Sequence, residues 1–162
     1  MGHRDQCEVE LRDDVLVYST PVLERAVEVT GPIELRLFVS SSAPDTDFTG
    51  KLVDVFPDGR AIILTEGILR ARYRNSFTAP ELLKPDTIYK LRLNLWATAN
   101  VFLPGHRIRL EVSSSNFPRF DRNNNTGGDI AREAASQFRP AINRVFHDTA
   151  YPSRLILPVI ER

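Results

Sequence analysis

The stretch Ile33-Glu34-Leu35-Arg36-Leu37-Phe38-Val39 decides the fold. Ile33, Leu35, Leu37 and Val39 recur at every second position with Glu34 and Arg36 between them, so an extended chain here has one apolar face and one wet face. The pattern returns in Tyr89-Lys90-Leu91-Arg92-Leu93-Asn94-Leu95 and in Arg107-Ile108-Arg109-Leu110-Glu111-Val112. Strands with one solvated face belong to antiparallel sheets. Further strands are predicted over 15–18, 26–29, 51–56, 61–65, 68–73, 145–147 and 155–157, about ten in all, each bounded by turn residues. Pro57-Asp58-Gly59 has the chemistry of a hairpin turn, and Pro104-Gly105 sets a turn ahead of Ile108. Only 129–138 reads as helix, with Asp129 placed to cap the amide of Ala131 or Arg132. The balance predicts an all-β chain, a jelly-roll β-sandwich of two packed sheets with one or two short helices; an immunoglobulin-type sandwich is the alternative.

The rest of the composition agrees with one domain. The chain has 162 residues, 42% of them hydrophobic, enough for one sizeable core. Twenty-one basic residues balance twenty-one acidic ones, so the positive field of a nucleic-acid or anionic-membrane binder is missing. No run is long and apolar enough for a membrane span, and the N-terminal residues form no secretory leader. The single Cys7 excludes an intramolecular disulfide and fits a cytoplasmic chain. There is no internal repeat and no linker-like segment. The longest irregular stretch, 113–128, is where loop-borne function is expected.

Catalytic and metal chemistry find little support. None of the eight glycines belongs to a G-x-S-x-G elbow. A triad built from Ser113 to Ser115 with His106 or His147 has no support from spacing. Asp45-Thr46-Asp47 could hold Ca²⁺, yet an Asp bonding its own backbone ahead of a strand is the commoner use, and no metal or other cofactor is expected. Trp96, Phe102, Phe117, Phe120 and Tyr151 could form a sugar-stacking platform. Against that, Trp96 ends a buried-type run of leucines ahead of an Ala97-Thr98-Ala99-Asn100 turn, which gives it a place at the edge of the core.

A series of segments carries a resemblance. It begins with Val9-Glu10, Arg12 and Asp14-Val15-Leu16-Val17-Tyr18, then Val27-Glu28-Val29-Thr30-Gly31-Pro32 and Ser40-Ser41-Ser42-Ala43-Pro44-Asp45-Thr46-Asp47-Phe48. It continues with Leu52-Val53-Asp54-Val55-Phe56-Pro57-Asp58-Gly59-Arg60-Ala61, Gly67-Ile68-Leu69-Arg70-Ala71-Arg72-Tyr73 and Phe102-Leu103-Pro104-Gly105-His106-Arg107. Val112-Ser113-Ser114-Ser115-Asn116-Phe117-Pro118, Asn125-Thr126-Gly127-Gly128 and Tyr151-Pro152-Ser153-Arg154-Leu155 complete it. Together they resemble the C-terminal domain of the X-prolyl dipeptidyl-peptidase, cocaine esterase and α-amino-acid ester hydrolase family, the CocE/NonD-type hydrolases.

The resemblance implies a galactose-binding-like jelly roll over 4–162, with Met1-Gly2-His3 as an expression remnant. It implies that the family's catalytic Ser, Asp and His lie upstream, so no catalytic residue is carried over. The implied partners are an α/β-hydrolase domain and its cap, with self-association of the isolated domain as a further expectation. Asp45, Thr46, Asp47 and Phe48, with Asn116, Phe117, Pro118 and Phe120, are the candidates for the face toward that domain or for a wall of its substrate pocket. Each group has an internal alternative: Asp47 capping backbone amides, Phe117 filling the core. An autonomous carbohydrate- or ligand-binding module is the alternative function.

Overall fold

The computed structural model describes residues 4–161, so the expected remnant at 1–3 lies outside the described residues. Among the described residues nine strands form two antiparallel sheets: β1 (Leu16–Ser19), β2 (Val27–Ser41), β3 (Asp47–Val55), β4 (Ala61–Arg70), β5 (Tyr89–Phe102), β6 (Arg107–Ser113), β7 (Asn143–Phe146), β8 (Arg154–Ile156) and β9 (Val159–Ile160). One sheet has the order β1-β6-β3-β4; the other runs β5-β2-β7, with β8 and β9 also pairing β2. The alternating aliphatics do as their period requires. Ile33, Leu35, Leu37 and Val39 of β2 meet Leu91, Leu93 and Leu95 of β5 and Phe48 and Leu52 of β3 in one core. Among the described residues no helix is long and apolar enough to cross a membrane.

Several predicted strands fuse. The pieces at 26–29 and 33–39 are one strand, because Gly31 at φ +134° absorbs the break and the register shifts between Pro32 and Glu34. Pro32 is tolerated there because the second neighbour is itself interrupted between β8 and β9. The pieces at 61–65 and 68–73 join through Glu66 and Gly67, which pair with Lys51 and Gly50 of β3, while 71–73 turns into a 3₁₀ element. Pro57-Asp58-Gly59 does close the β3–β4 hairpin, with Gly59 at φ +92°. Pro104-Gly105 turns the chain from one sheet to the other.

Three expectations are corrected. The segment 129–138 is no helix: Asp129 accepts the Ala131 amide at 3.1 Å, but one turn later Glu133 is drawn onto Asn124 and Thr126 and Ala134 is extended. A four-residue helix, α1 (Cys7–Glu10), forms instead near the N-terminus. Trp96 is not at the core edge: it has φ +64°, is 64% exposed, and the residues predicted as a turn after it continue β5 opposite Gly31 and Thr30.

The outer face of the first sheet is also covered, which is why all nine residues of β3 are buried. Residues 4–12 lie over one part, with Gln6 Oε1 accepting from Lys51 Nζ at 2.8 Å and the Arg4 carbonyl accepting the Ile63 amide. The chain after β6 lies over the rest, anchored by Asn116, which donates to Glu66 of β4, and by Asn123, which donates to Asp47 of β3 at 2.7 Å.

Candidate functional site

At the end of the sandwich where β3 begins and β4 ends, a set of buried ion pairs fixes a long loop. Asp45 accepts from the Arg72 amide at 2.9 Å and from Arg72 Nε at 2.8 Å. Asp47 receives Arg70 through Nε at 3.0 Å and Nη2 at 3.2 Å. The Asn123 amide donates to both carboxylates, at 2.8 and 2.7 Å, so one loop side chain ties the two pairs together. Burial pushes the Asp47 carboxyl above its ordinary range, with Arg70 and Asn123 pulling the other way.

Farther along the loop, Glu66 of β4 accepts from Asn116 and Arg119. Asn124 and Thr126 donate to Glu133, whose carboxyl these hydrogen bonds hold below its usual value. Asn125 at φ +60° is in the left-handed region that Asn tolerates better than most residues, and its side chain donates to the Arg139 carbonyl at 2.7 Å. Arg72 Nη1 reaches the Gly128 carbonyl at 3.0 Å.

This framework presents an aromatic and cationic rim. Phe117, joined to Pro118 by a cis peptide bond, is 57% exposed, with the Arg122 guanidinium 4.5 Å above its ring. Arg119 lies 5.3 Å from the half-buried Phe120 ring. Phe117, Arg122, Arg70, Arg72, Tyr73 and Phe138 border an open cleft of about 890 Å³.

The predicted residues therefore divide. Asn116, Phe117, Pro118 and Phe120 lie on the loop, with Phe117 and Pro118 at its surface, so Phe117 does not fill the core. Asp45, Thr46, Asp47 and Phe48 are buried within the sandwich itself, which removes them from direct contact with another domain. Asp45 and Asp47 serve the arginines, Thr46 accepts from Asn143 at 3.0 Å, and Phe48 is core. Sequence reasoning missed Arg70, Arg72 and Asn123. Alternating cations at 70 and 72, beside a strand whose entry carries two Asp, were the available signal.

Other sequence-level ideas are dispersed. Phe102 is fully buried, Trp96 stands on β5, and Tyr151 packs on Phe38 and Phe146, so the five aromatics make no common platform. His106 is buried against Asp54 at 2.8 Å, His147 touches Tyr18, and His3 lies outside the described residues. The Ser113 hydroxyl contacts Thr49 and donates to the Ser115 carbonyl, with no histidine partner among the described residues. No cluster that could hold a metal ion occurs among the described residues.

Comparison with known proteins is consistent. The family described as the X-Pro dipeptidyl-peptidase C-terminal non-catalytic domain matches residues 2–156. Cocaine esterase of Rhodococcus sp. (strain MB1 Bresler) is 57% identical over 161 residues, 99% of this chain and 28% of the relative. A solved aminopeptidase from a marine-sediment Thaumarchaeota archaeon superposes with TM-score 0.94 at 36% identity, over 98% of this chain and 28% of that one. An α-amino acid ester hydrolase structure gives TM-score 0.94 at 32% identity, covering 98% and 27%. The chain thus spans little more than a quarter of the length of each of these proteins.

Proposed function

Because the chain belongs to the X-Pro dipeptidyl-peptidase C-terminal non-catalytic domain family, we propose that it serves as the accessory domain of a larger serine hydrolase acting on esters, amides or Xaa-Pro peptides. It docks on the α/β-hydrolase portion through the rim at Phe117, Pro118 and Arg122 and helps wall the substrate pocket. The observation that carries this reading is Phe117, a large ring held in solvent by a loop that buried Arg–carboxylate pairs fix. A rigid exposed aromatic capped by an arginine is the chemistry of an interface anchor, because little side-chain freedom is lost on docking. Asp45 and Asp47 contribute by fixing the loop rather than by touching the partner.

The test uses the purified chain and the catalytic portion of its parent hydrolase. The chain alone is expected to leave p-nitrophenyl esters and Xaa-Pro-p-nitroanilides intact, and to bind the catalytic portion when mixed with it. Phe117→Ala should weaken that binding at least tenfold, the loss of an anchor of about 2 kcal/mol. Turnover by the chain alone that vanished in Ser113→Ala, or unchanged binding by Phe117→Ala, would overturn the reading. Self-association of the isolated chain through the same rim belongs to the proposal. Sedimentation should show dimers that Phe117→Ala dissociates.

A further inference from the structure

A second cleft opens on the opposite side of the sandwich, where β1 and β6 of one sheet face β7 and β8 of the other. It shares no lining residue with the rim around Phe117. Its floor is made by Leu35, Leu37 and Val112, at most 2% exposed and part of the main core. Ile108 and Leu110 wall it from one sheet and Leu155 from the other. The volume, about 370 Å³, falls within the range of small-molecule sites and far exceeds the voids of a close-packed interior.

The polar groups along this cleft include no carboxylate. Tyr18, Ser19, Thr20, His147 and Ser153 line it, and no Asp or Glu does. Ser153 Oγ accepts the Phe38 amide at 2.8 Å, which leaves its hydroxyl hydrogen to donate. The Tyr18 hydroxyl and the His147 ring nitrogens have no hydrogen-bond partner among the described residues, although the two rings meet edge to face at 5.7 Å. Arg154, the other ionisable residue of the lining, makes no ion pair among the described residues. Hydroxyl and ring N–H donors and the Arg154 guanidinium beside an aliphatic floor complement a carboxylate on a hydrocarbon chain, whereas an ammonium would find no counter-charge.

We propose that this cleft binds a medium-chain fatty acid, with the chain between the two sheets and the carboxylate at His147, Tyr18 and Ser153. An aliphatic chain of that kind releases the water that otherwise wets core side chains, and its head group exchanges solvent for donors that converge at the mouth of the cleft. The site does not depend on the docking role of Phe117.

Calorimetric titration of the purified chain with decanoate, kept below its micelle concentration, tests the proposal. Saturable binding with one acid per chain is expected. Leu155→Trp, which fills the cleft from the short β8, should weaken it at least tenfold. His147→Glu, an exposed change, should weaken decanoate at least fivefold and favour decyltrimethylammonium. Thermal unfolding of both variants confirms their fold, and if Leu155→Trp does not fold, His147→Glu alone decides. Absent or non-saturable decanoate binding, equal affinity of the native chain for decyltrimethylammonium, or indifference to His147→Glu would overturn the assignment.

Discussion

The two long edges of the sandwich are built from similar aliphatic strands and behave oppositely. On one, β4 and β5 meet with backbones almost in contact: a Cβ on Gly67 would lie 2.2 Å from the Asn94 carbonyl oxygen, and the Thr65 hydroxyl donates to the Leu95 carbonyl. On the other, β1 and β6 stand away from β7 and β8 across the 370 Å³ cleft, and the Tyr18–His147 ring contact reaches across it. The difference is one of side-chain size at the seam. Gly50 and Gly67 admit Leu35, Leu95 and a neighbouring carbonyl, whereas the far edge has no glycine to let the sheets close and fills its seam with branched side chains that stop short of each other. An edge closed on backbone is a structural lock; an edge left apolar and ajar is where a ligand can enter.

The harshest way to break the comparison is Gly67→Ala. The new methyl must displace backbone, which a flexible side chain could not relieve, so urea unfolding should show a loss of about 3 kcal/mol or more. A loss under about 1 kcal/mol would mean that the closed edge yields as easily as the open one. A paired truncation sharpens the contrast. Leu95→Ala, fully buried at the closed edge, should cost about 4 kcal/mol, and Leu110→Ala, half-buried on the wall of the open cleft, about 2 kcal/mol. Water already reaches the second site, so less is lost there when the side chain is removed.

Much of this was legible in the sequence, and the exceptions have physical causes. Alternation at Ile33 to Val39 identified the core face of β2 correctly, because burial enforces the period. It could not show that one strand runs on through Gly31-Pro32, since the same dipeptide also ends strands; the extra residue at Leu95-Trp96 of β5 opposite Ile33, and the gap between β8 and β9 that accommodates Pro32, are tertiary facts. Trp96 misled because residue type signals burial while its φ of +64°, set by the β5 bend, turns it outward. The helix expected over 129–138 rested on propensity, which Glu133 overrides by bonding to Asn124 and Thr126. At the candidate site the loop residues were readable as a loop. The burial of Asp45 and Asp47 was not, because it depends on Arg70 at the end of β4 and on Arg72 in the 3₁₀ turn that follows it.

Acid dependence probes the outer face of β6, the strand whose inner face walls the open cleft. Glu111 stands there beside Lys51 Nζ at 3.3 Å, with only 2% of its side chain exposed. Burial raises its pKa from 4.5 to about 7, Glu10 adding to the rise and Lys51 opposing it. Folding therefore takes up a proton at Glu111 between these values, so this group's contribution is greatest below the unfolded value and is lost as pH rises through about 7. Its slope cannot exceed one proton, about 1.4 kcal/mol per pH unit. Glu111→Gln should flatten the pH dependence of urea stability across that window. An unchanged slope would show that Glu111 stays ionised under α1.

The smallest expected effect falls on the contact that spans the open edge. His147→Ala removes an edge-to-face pair from an exposed position, so thermal unfolding should register a loss of about 0.5–1 kcal/mol. Hydrogen exchange should separate local from global loosening. If the ring pair only bridges two independently stable sheets, faster exchange is confined to amides of β1 and β7, and those of β4 and β5 keep their protection. A loss above about 2 kcal/mol with exchange spread to the closed edge would mean that the two edges are mechanically one unit. In that case the cleft would owe its opening to the whole sandwich, because an edge independent of the core cannot transmit strain through Leu35 and Leu37 to the strands beyond them.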